Sequence, residues 1–356
     1  MNATVDPQRP LRLTVIIPNY NYAEFLGQAI DSALNIDWPH IQVIVVDDGS
    51  TDGSRDLLTK YEGRITTLLQ ANAGQFVAYN AGYELAKGDV VVFLDSDDLL
   101  DRELMREIAA VWRSGISKVQ FRLRTVDGAA QPLGNTIPQF QGTPTPEEIR
   151  QCATLTTTYP TPPGSGNAYA PAYLDQIFPL DDACGRPGDS ICIAAAPFLG
   201  DVITIPKALG CYRVHGRNDG AASKLDAKQF NLHVVRALQR QAYTRRIALR
   251  AGTPIQDDAI NNSLHYLPYR LASLRIGPST HPIPNDSAGR IWLNVLRALL
   301  IPQGMSAKGK TTIGVWATLV ALLPQAMGMK LILWRFVPAA RPQFIRTTLL
   351  KLGVIR

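Results

Sequence analysis

The stretch Gly88-Asp89-Val90-Val91-Val92-Phe93-Leu94-Asp95-Ser96-Asp97-Asp98 decides how the rest of this chain is interpreted. Its run of apolar residues, rich in β-branched side chains, predicts a buried strand. The strand ends in a cluster of carboxylates, which is unfavourable at a sheet edge unless a positive group balances it. A divalent metal ion that carries a nucleoside diphosphate would supply that charge, because Mg²⁺ and Mn²⁺ prefer oxygen ligands. The alternative is a solvated acidic turn before the next helix.

The residues on either side of this stretch alternate between strand and helix patterns. Strands are predicted at 13–18, 41–46, 65–69, 90–94 and 119–126, and helices at 23–34, 54–61, 75–87 and 101–113. Such alternation predicts a mainly parallel sheet with helices on both faces. The polar segments 18–21, 47–48 and 95–98 then meet at the carboxyl edge of the sheet, where ligands bind. No dinucleotide-binding glycine fingerprint and no P-loop motif occurs, which argues against both of those sites.

Length, the first residues and the cysteines narrow the class of protein. A chain of 356 residues is long enough for two domains. Met1 to Pro10 contain no apolar run, so we expect no secretory signal and a cytoplasmic protein. The four cysteines form no C-x-x-C pair, which favours reduced thiols over disulfides. A zinc site built from Cys184, Cys192, Cys211 and His215 fits no standard spacing.

Charge divides the chain into two regions. Residues 1–230 carry a net charge of −8, and residues 231–356 carry +14. This asymmetry suggests that the two regions have different partners. A basic, partly apolar region is suited to an anionic membrane face or to nucleic acid.

Four motifs, in matching order and spacing, resemble the family-2 glycosyltransferases. They are Val15–Asn21, Val46–Asp52, Asn72–Gln75 with Asn80–Gly82, and Phe93–Asp98. The resemblance covers roughly residues 12–220. It implies the GT-A fold, a Rossmann-like, mainly parallel sheet flanked by helices. It also implies a nucleotide-sugar donor (a UDP-sugar by family frequency), a divalent metal ion (Mn²⁺ or Mg²⁺) and inversion at the anomeric carbon.

The resemblance implies roles for five residues near the nucleotide. Pro18 and Tyr20 match the loop that lies against the nucleobase. Asp48 matches the aspartate that binds the base or the ribose. Gly74 and Gln75 match the loop under the nucleotide and donor. The alternatives are that Tyr20 is a surface aromatic residue and that Gln75 caps a helix.

The acidic stretch after the central strand matches the D-x-D motif of the family. The resemblance places Asp95 nearer the ribose and Asp97 on the metal, and both are candidate metal ligands. Asp98 extends the cluster and is expected to orient the donor sugar. His215 matches a Tyr-Arg-x-His stretch and is a third candidate ligand, with a structural histidine as the alternative. In the same stretch Arg213 or Arg217 could hold phosphate oxygens.

Inverting transfer also needs a base that takes the proton of the acceptor hydroxyl. Asp189 opens an apolar helix at the position where the family places this base, often as Glu-Asp, whereas here Gly188 precedes it. Asp189 could instead be an N-cap, a common position for aspartate. Asp181 and Asp182 are the runner-up candidates for the base.

The resemblance and the charge pattern together predict two domains. Residues 1–225 form the catalytic domain, with a nucleotide-sugar half at about 12–126 and an acceptor half at about 127–225. Residues 226–356 form a basic, mostly helical region, in which the uncharged stretch Thr311–Met329 is a spanning helix, an interfacial helix or ordinary packing.

Polysaccharide or glycoconjugate biosynthesis at the cytoplasmic face of the inner membrane would account for these features. The acceptor would then be a glycan or a lipid-linked sugar, the basic region would contact anionic membrane peripherally, and no nucleic-acid partner is expected. Two alternatives stay open. One is a non-catalytic module that binds a nucleotide or glycan. The other is a sugar nucleotidyltransferase, which would carry a glycine-rich basic loop that residues 18–22 lack.

Overall fold

A computed structural model describes residues 10–181, 188–218, 225–337, 340–343 and 347. These residues divide into two compact units. The first comprises residues 10–147 and 161–214, and the second comprises residues 148–160 and the described residues from 215 onward. The first unit contains a sheet with flanking helices, and the second is helical.

The described residues of the first unit form one sheet of nine strands. The strands are β1 (Leu13–Asn19), β2 (Ile41–Asp48), β3 (Thr66–Gln70), β4 (Val90–Phe93), β5 (Leu99–Leu100), β6 (Ile116–Val126), β7 (Pro132–Ile137), β8 (Asn167–Tyr169) and β9 (Asp201–Arg213). The helices as far as residue 199 are α1 (Ala23–Leu34), α2 (Ser54–Thr59), α3 (Gln75–Glu84), α4 (Leu104–Val111), α5 (Pro146–Thr156), α6 (Pro171–Leu174) and α7 (Gly188–Leu199). Most of α5 belongs to the second unit.

The strand order of the sheet is β3-β2-β1-β4-β8-β6-β9-β5, with β7 paired to β6. Strands β1 to β4 are parallel to their neighbours in this set, as predicted. Beyond β4 the sheet is mixed, because β8 runs antiparallel to both β4 and β6 while β6 and β9 are parallel. The order reverses at β1, which lies between β2 and β4. This point is where open α/β sheets bind ligands.

The core of the first unit follows from the apolar spacing of its elements. Strand β1 is almost wholly buried, and α1 buries Leu26, Ala29, Ile30 and Ala33 on one face. Helix α3 approaches the sheet closely at Gly82, where a Cβ atom would lie 2.5 Å from Ile16 Cγ2. Close packing of α3 against the sheet therefore explains the glycine in the Asn80–Gly82 motif. This approach fixes the start of α3 relative to the carboxyl edge of the sheet.

The second unit is built around five further helices. They are α8 (Ala227–Arg250), α9 (Leu267–Ile276), α10 (Ala288–Leu299), α11 (Ala307–Leu322) and α12 (Gln325–Phe336). Their shared core contains Phe230, Leu271, Val295 and Val320. Helix α8 is the first helix of the predicted basic, mostly helical region.

The uncharged stretch Thr311–Met329 is not one helix. It is divided between α11 and α12, with Pro324 at the N-cap of α12. Proline ends the preceding helix because it lacks a backbone N–H and its ring clashes with the previous turn. Among the described residues no helix is both long and apolar enough to cross a membrane.

Candidate functional site

Three loops meet at the carboxyl edge of the sheet, as the sequence predicts. Asn19 ends β1 and pairs in register with Asp47 at the end of β2. The loop after β4 contacts the end of β1, because Ser96 Oγ donates a hydrogen bond to the Pro18 carbonyl at 2.7 Å. The polar residues that follow three neighbouring strands therefore share one edge.

Asp47 is buried at this edge and is paired by several donors. Its Oδ1 accepts from Arg55 Nε at 2.8 Å and from Ser50 N at 3.0 Å, and its Oδ2 accepts from Asn19 Nδ2 at 2.9 Å. Burial alone would raise the pKa of Asp47, but the hydrogen bonds from Arg55, Ser50 and Asn19 lower it below its ordinary value. Asp47 is thus a charged residue that holds the loops together.

Asp48 uses both of its carboxylate oxygens to hold the loop before α3. Oδ1 accepts from Gln70 Nε2 at 2.7 Å and from Ala73 N at 2.9 Å, and Oδ2 accepts from Gly74 N at 2.8 Å. Gly74 has φ +91°, a left-handed conformation that favours glycine. The structure therefore places Asp48 behind the loop predicted to lie under the nucleotide.

Pro18 and Tyr20 lie on the rim of the edge. Pro18 is half-buried, whereas the Tyr20 side chain is 48% exposed. The turn that carries Tyr20 is fixed, because Asn21 N donates to Ser50 Oγ and Asn21 Oδ1 accepts from Thr51 N. An exposed aromatic ring on a fixed turn is suited to stacking against a planar ligand.

Gln75 connects two helices of the site. It is the first residue of α3, and its Oε1 accepts from Gly188 N, the first residue of α7, at 3.1 Å. A Cβ atom on Gly188 would lie 2.9 Å from a ring carbon of Phe76. Glycine before Asp189, where the family often has glutamate, therefore allows α7 to approach α3.

Burial and neighbouring carboxylates raise the pKa values of two acidic residues after β4, Asp95 and Asp98. Asp98 is buried, and its Oδ1 accepts from Arg213 N at 2.9 Å, but its Oδ2 has no hydrogen-bond partner among the described residues. Burial and the neighbouring Asp97 raise the pKa of Asp98 to about 8. Burial and the charges of Asp98, Asp189 and Asp97 raise the pKa of Asp95 well above its usual range. These carboxylates repel one another.

Asp189 lies beside Asp95, on the other side of Gly164. A Cβ atom on Gly164 would lie 3.3 Å from Oδ2 of each aspartate. The adjacent Ser165 accepts at its Oγ a hydrogen bond from Asp95 N at 3.1 Å. The residue predicted as base and the residue of the D-x-D motif are thus brought together by the turn after Pro163.

Asp189 is the second residue of α7 and lies in its first turn, not at the N-cap position. Its Oδ1 accepts from Ser190 N at 2.7 Å, which orients the carboxylate. Of the runner-up bases, Asp181 is exposed and Asp182 lies outside the described residues.

Lys118 is a buried residue of this region that the sequence analysis missed. Its Nζ donates to Asn167 Oδ1 at 2.8 Å, Thr161 Oγ1 at 2.9 Å and Gln120 Oε1 at 3.1 Å. Asn167 Nδ2 in turn donates to the carbonyls of Pro163 and Gly164. Burial lowers the pKa of Lys118 well below its usual range. The signal in the sequence was a lysine and a glutamine that alternate with Val119 and Phe121.

Arg213 holds the acidic loop through its backbone contacts. It is fully buried, and its guanidinium donates to the carbonyls of Asp97 and Gly128 and to Gln28 Oε1, each at 2.7 Å. The guanidinium also lies 4.7 Å from the ring centroid of Phe25. Arg213 therefore fixes the conformation of the acidic loop. These contacts give no support to the prediction that it holds phosphate oxygens.

His215 belongs to the second unit and lies in a tight turn. Its Nδ1 accepts from Arg217 N at 3.1 Å, and its backbone N donates to Asn218 Oδ1. Its role as a metal ligand stays a prediction.

The acidic residues nevertheless have the chemistry of a partial metal site. In the part of the chain that the structure describes, no group of three or more histidine, cysteine, aspartate and glutamate side chains is placed to hold a metal ion. Mg²⁺, however, usually binds one or two carboxylates and completes its shell with water and substrate phosphates. The unpartnered Oδ2 of Asp98 and the mutual repulsion of the cluster fit a hard cation brought in with such a substrate.

Comparison with known proteins identifies the family. Residues 14–163 match the model of glycosyl transferase family 2. The chain is 36% identical over 230 residues to an uncharacterised glycosyltransferase of Nostoc sp., a match that covers 61% of this chain and 71% of the relative. It is 30% identical over 129 residues to the poly(ribitol-phosphate) β-N-acetylglucosaminyltransferase of Staphylococcus aureus, covering 34% and 22% of the two chains.

A solved structure shares the fold. It is a mannosyltransferase from Pyrobaculum calidifontis, which superposes with a TM-score of 0.50 and 19% identity over 90% of each chain. The mixed sheet with flanking helices and the helical C-terminal region confirm the predicted GT-A architecture. The chain therefore belongs to glycosyl transferase family 2 and is a glycosyltransferase.

Proposed function

We propose that this glycosyltransferase is a metal-dependent, inverting enzyme that moves a sugar from a nucleoside diphosphate, a UDP-sugar in the first instance, to an acceptor hydroxyl. One observation carries the proposal. Asp189 lies beside Asp95 next to Gly164, at the sheet edge where burial and the charges of Asp98 and Asp97 raise the pKa of Asp95. The proposed proton acceptor and the proposed cation-binding cluster are thus neighbours, as a displacement at the anomeric carbon requires.

The donor nucleotide would lie over the loops before α1 and α3. The exposed ring of Tyr20 and the half-buried Pro18 offer a surface for the base. The Gly74–Gln75 segment would lie under the nucleotide, and Asp48 keeps that segment in place through Ala73 N and Gly74 N.

Asp97 and Asp95 would hold Mn²⁺ or Mg²⁺. The repulsion within the cluster and the unpartnered Asp98 Oδ2 support a cation there. The solved mannosyltransferase of the same fold contains GDP-mannose and Mn²⁺. When bound, such an ion offsets the charge that develops on the departing diphosphate.

Asp189 would act as the base. As the acceptor oxygen forms its bond to the anomeric carbon, the hydroxyl proton passes to the Asp189 carboxylate. The bond from that carbon to the diphosphate oxygen breaks, and the nucleoside diphosphate leaves with the electron pair. The hydrogen bond from Ser190 N to Oδ1 fixes the carboxylate, and Oδ2 is the oxygen beside Gly164.

The acceptor would be a glycan or a lipid-linked sugar in polysaccharide or glycoconjugate biosynthesis. The net charge of +14 on residues 231–356 supports a setting at an anionic membrane, such as the cytoplasmic face of the inner membrane. The Staphylococcus aureus relative acts, by its name, on a polymeric acceptor.

The replacement Asp189→Asn tests the assignment of the base. Asparagine keeps the shape of the side chain and removes its basicity, so transfer should fall by roughly 10²–10⁴-fold while nucleotide binding persists. Asp181→Asn, the same change at an exposed runner-up position, is the matched control and should leave the rate unchanged. The measurement is nucleoside diphosphate release from UDP-N-acetylglucosamine, UDP-glucose and GDP-mannose with Mn²⁺ and a sugar acceptor. A wild-type rate in Asp189→Asn would remove Asp189 as the base.

A further inference from the structure

Helix α11 has an exposed, partly apolar stripe that the described residues of its own unit do not cover. Lys308, Thr311, Val315, Leu319 and Leu322 are spaced by three or four residues, which places them along one face of the helix. All five are exposed, and Leu322 is 70% exposed. The other side of α11 is already occupied, because its buried residues, Ile313, Gly314, Trp316, Ala317 and Val320, belong to the packed side.

Helix α10 continues this surface. Leu293, Leu296 and Leu300 follow the same helical spacing, and Leu300 is 88% exposed. Arg297 is exposed on the same side of α10. A cleft of about 480 Å³ joins the two helices, with Leu299 on one wall and Val315 and Leu319 on the other.

The charge of this part of the chain has one sign. Asp286 is the last acidic residue, and residues 287–356 contain ten lysines and arginines with no aspartate or glutamate. Of these cations, Arg290, Arg297, Lys308 and Lys330 are exposed. Large exposed apolar patches mark interaction sites, and here the patch is surrounded by cations.

We propose that this surface docks the protein onto an anionic lipid bilayer. We call it the α10–α11 face and define it by Leu293, Leu296, Leu300, Val315, Leu319 and Leu322. Its leucines enter the boundary between headgroups and acyl chains, while Arg297 and Lys308 meet lipid phosphates. Docking through this face specifies the membrane partner of the proposed function and rests on that function.

Charge argues against the other occupants of the face. A second copy of the chain, docked by two-fold symmetry, would bring two surfaces without acidic residues together. The segment 338–356 carries Arg341, Arg346, Lys351 and Arg356 and no acid, so it would also add like charge. An anionic bilayer satisfies both the apolar and the basic side chains.

Sedimentation of the full-length protein with vesicles tests the proposal. Wild type should sediment with phosphatidylcholine vesicles that contain phosphatidylglycerol, be partly released by salt, and bind pure phosphatidylcholine more weakly. In the double variant Leu300→Glu/Leu322→Glu, binding should fall by about tenfold or more, since each change replaces a leucine that would enter the bilayer by a side chain that anionic lipid repels. Leu133→Glu is the matched control, because Leu133 on β7 is 46% exposed but lies outside the face, and it should bind like wild type.

Three results would overturn docking. The first is that wild type stays in the supernatant with anionic vesicles at low salt. The second is that the double variant binds like wild type. The third is that the control variant loses binding as much as the double variant. Circular dichroism checks that the double variant is folded, and analytical ultracentrifugation shows whether it has instead split a dimer. Donor hydrolysis in solution is measured in parallel and should be unchanged in the double variant. If wild type binds vesicles but hydrolyses no donor, the result would count against the proposed function and not against the α10–α11 face.

Discussion

Two acidic pairs lie at the same edge of the sheet and have opposite environments. Asp47 and Asp48, at the end of β2, receive six hydrogen bonds from Arg55, Ser50, Asn19, Gln70, Ala73 and Gly74. Asp95 and Asp98, after β4, receive few, and they face Asp97 and Asp189. All four residues are aspartates at the carboxyl edge of the sheet.

The comparison separates scaffold from reactive site. The first pair accepts its hydrogen bonds from the protein and holds the loops, and the binding of the base or ribose by Asp48 stays a prediction. A bound cation would stabilise the second pair, because it would offset the repulsion between neighbouring carboxylates, which opposes folding. Carboxylates with strongly raised pKa values in such a position are candidates for function.

The largest expected effect is that of Asp97→Ala. If Asp97 holds the metal, turnover should fall by about 10³-fold or more, since charge stabilisation by a metal is worth several kcal/mol. Asp56→Ala, at an exposed position in α2, is the control and should behave like wild type. The rate is measured as diphosphate release across a range of Mn²⁺ concentrations. Unchanged turnover at limiting Mn²⁺ would contradict the metal assignment.

A smaller loss is expected for Gly164→Ala. The added Cβ would lie 3.3 Å from Oδ2 of both Asp95 and Asp189, so one or both carboxylates must shift. Misplacement of catalytic groups by ångströms costs up to about 10²-fold, and we expect between tenfold and that value. Gly289→Ala, where a Cβ meets open space, is the control. Steady-state rates at saturating donor report the effect, and wild-type activity in Gly164→Ala would show that the two carboxylates do not act together.

The smallest effect concerns pH and the first pair. Because the folded pKa of Asp47 is lowered, its charged form stabilises the protein above the ordinary value of 3.8, and this stability is lost as pH falls through the lowered pKa. Asp47→Asn should therefore cost about 1–3 kcal/mol of unfolding free energy near neutral pH. At acid pH its stability should converge with that of wild type. Urea titrations at several pH values measure the difference in unfolding free energy between wild type and Asp47→Asn. A difference that does not change with pH would contradict the prediction.

The parallel half of the sheet could be predicted because its signals are local. Helix α1 begins and ends where the apolar spacing predicts, and β1 begins at Leu13 as predicted. The convergence of the loops follows from the rule that parallel strands end at one edge. The antiparallel β8 between β4 and β6 could not be predicted, because pairing over such sequence distances leaves no local pattern.

The contacts behind the site were equally hidden. No spacing in the sequence connects Gln75 with Gly188, or Lys118 with Asn167, since each pair is joined only by folding. The motifs predict that Asp48 binds the base or the ribose, but no pattern in the sequence indicates that its oxygens also accept from Ala73 N and Gly74 N. In α11, apolar residues occur on all sides, so only packing reveals that Val315, Leu319 and Leu322 are exposed.

The unfolding free energies of Asp98→Asn and Asp48→Asn, measured side by side without metal, test the contrast most directly. Asp48→Asn should lower the unfolding free energy by about 1–3 kcal/mol, because the amide of asparagine cannot accept all three hydrogen bonds that the Asp48 carboxylate accepts. Asp98→Asn should lose nothing or gain stability, because burial and Asp97 already disfavour the charged form of Asp98 and asparagine keeps an acceptor for Arg213 N. With Mn²⁺ and UDP added, wild type should gain more stability than Asp98→Asn. If Asp98→Asn instead loses as much as Asp48→Asn without metal, the two acidic pairs are both scaffold and the proposed site is wrong.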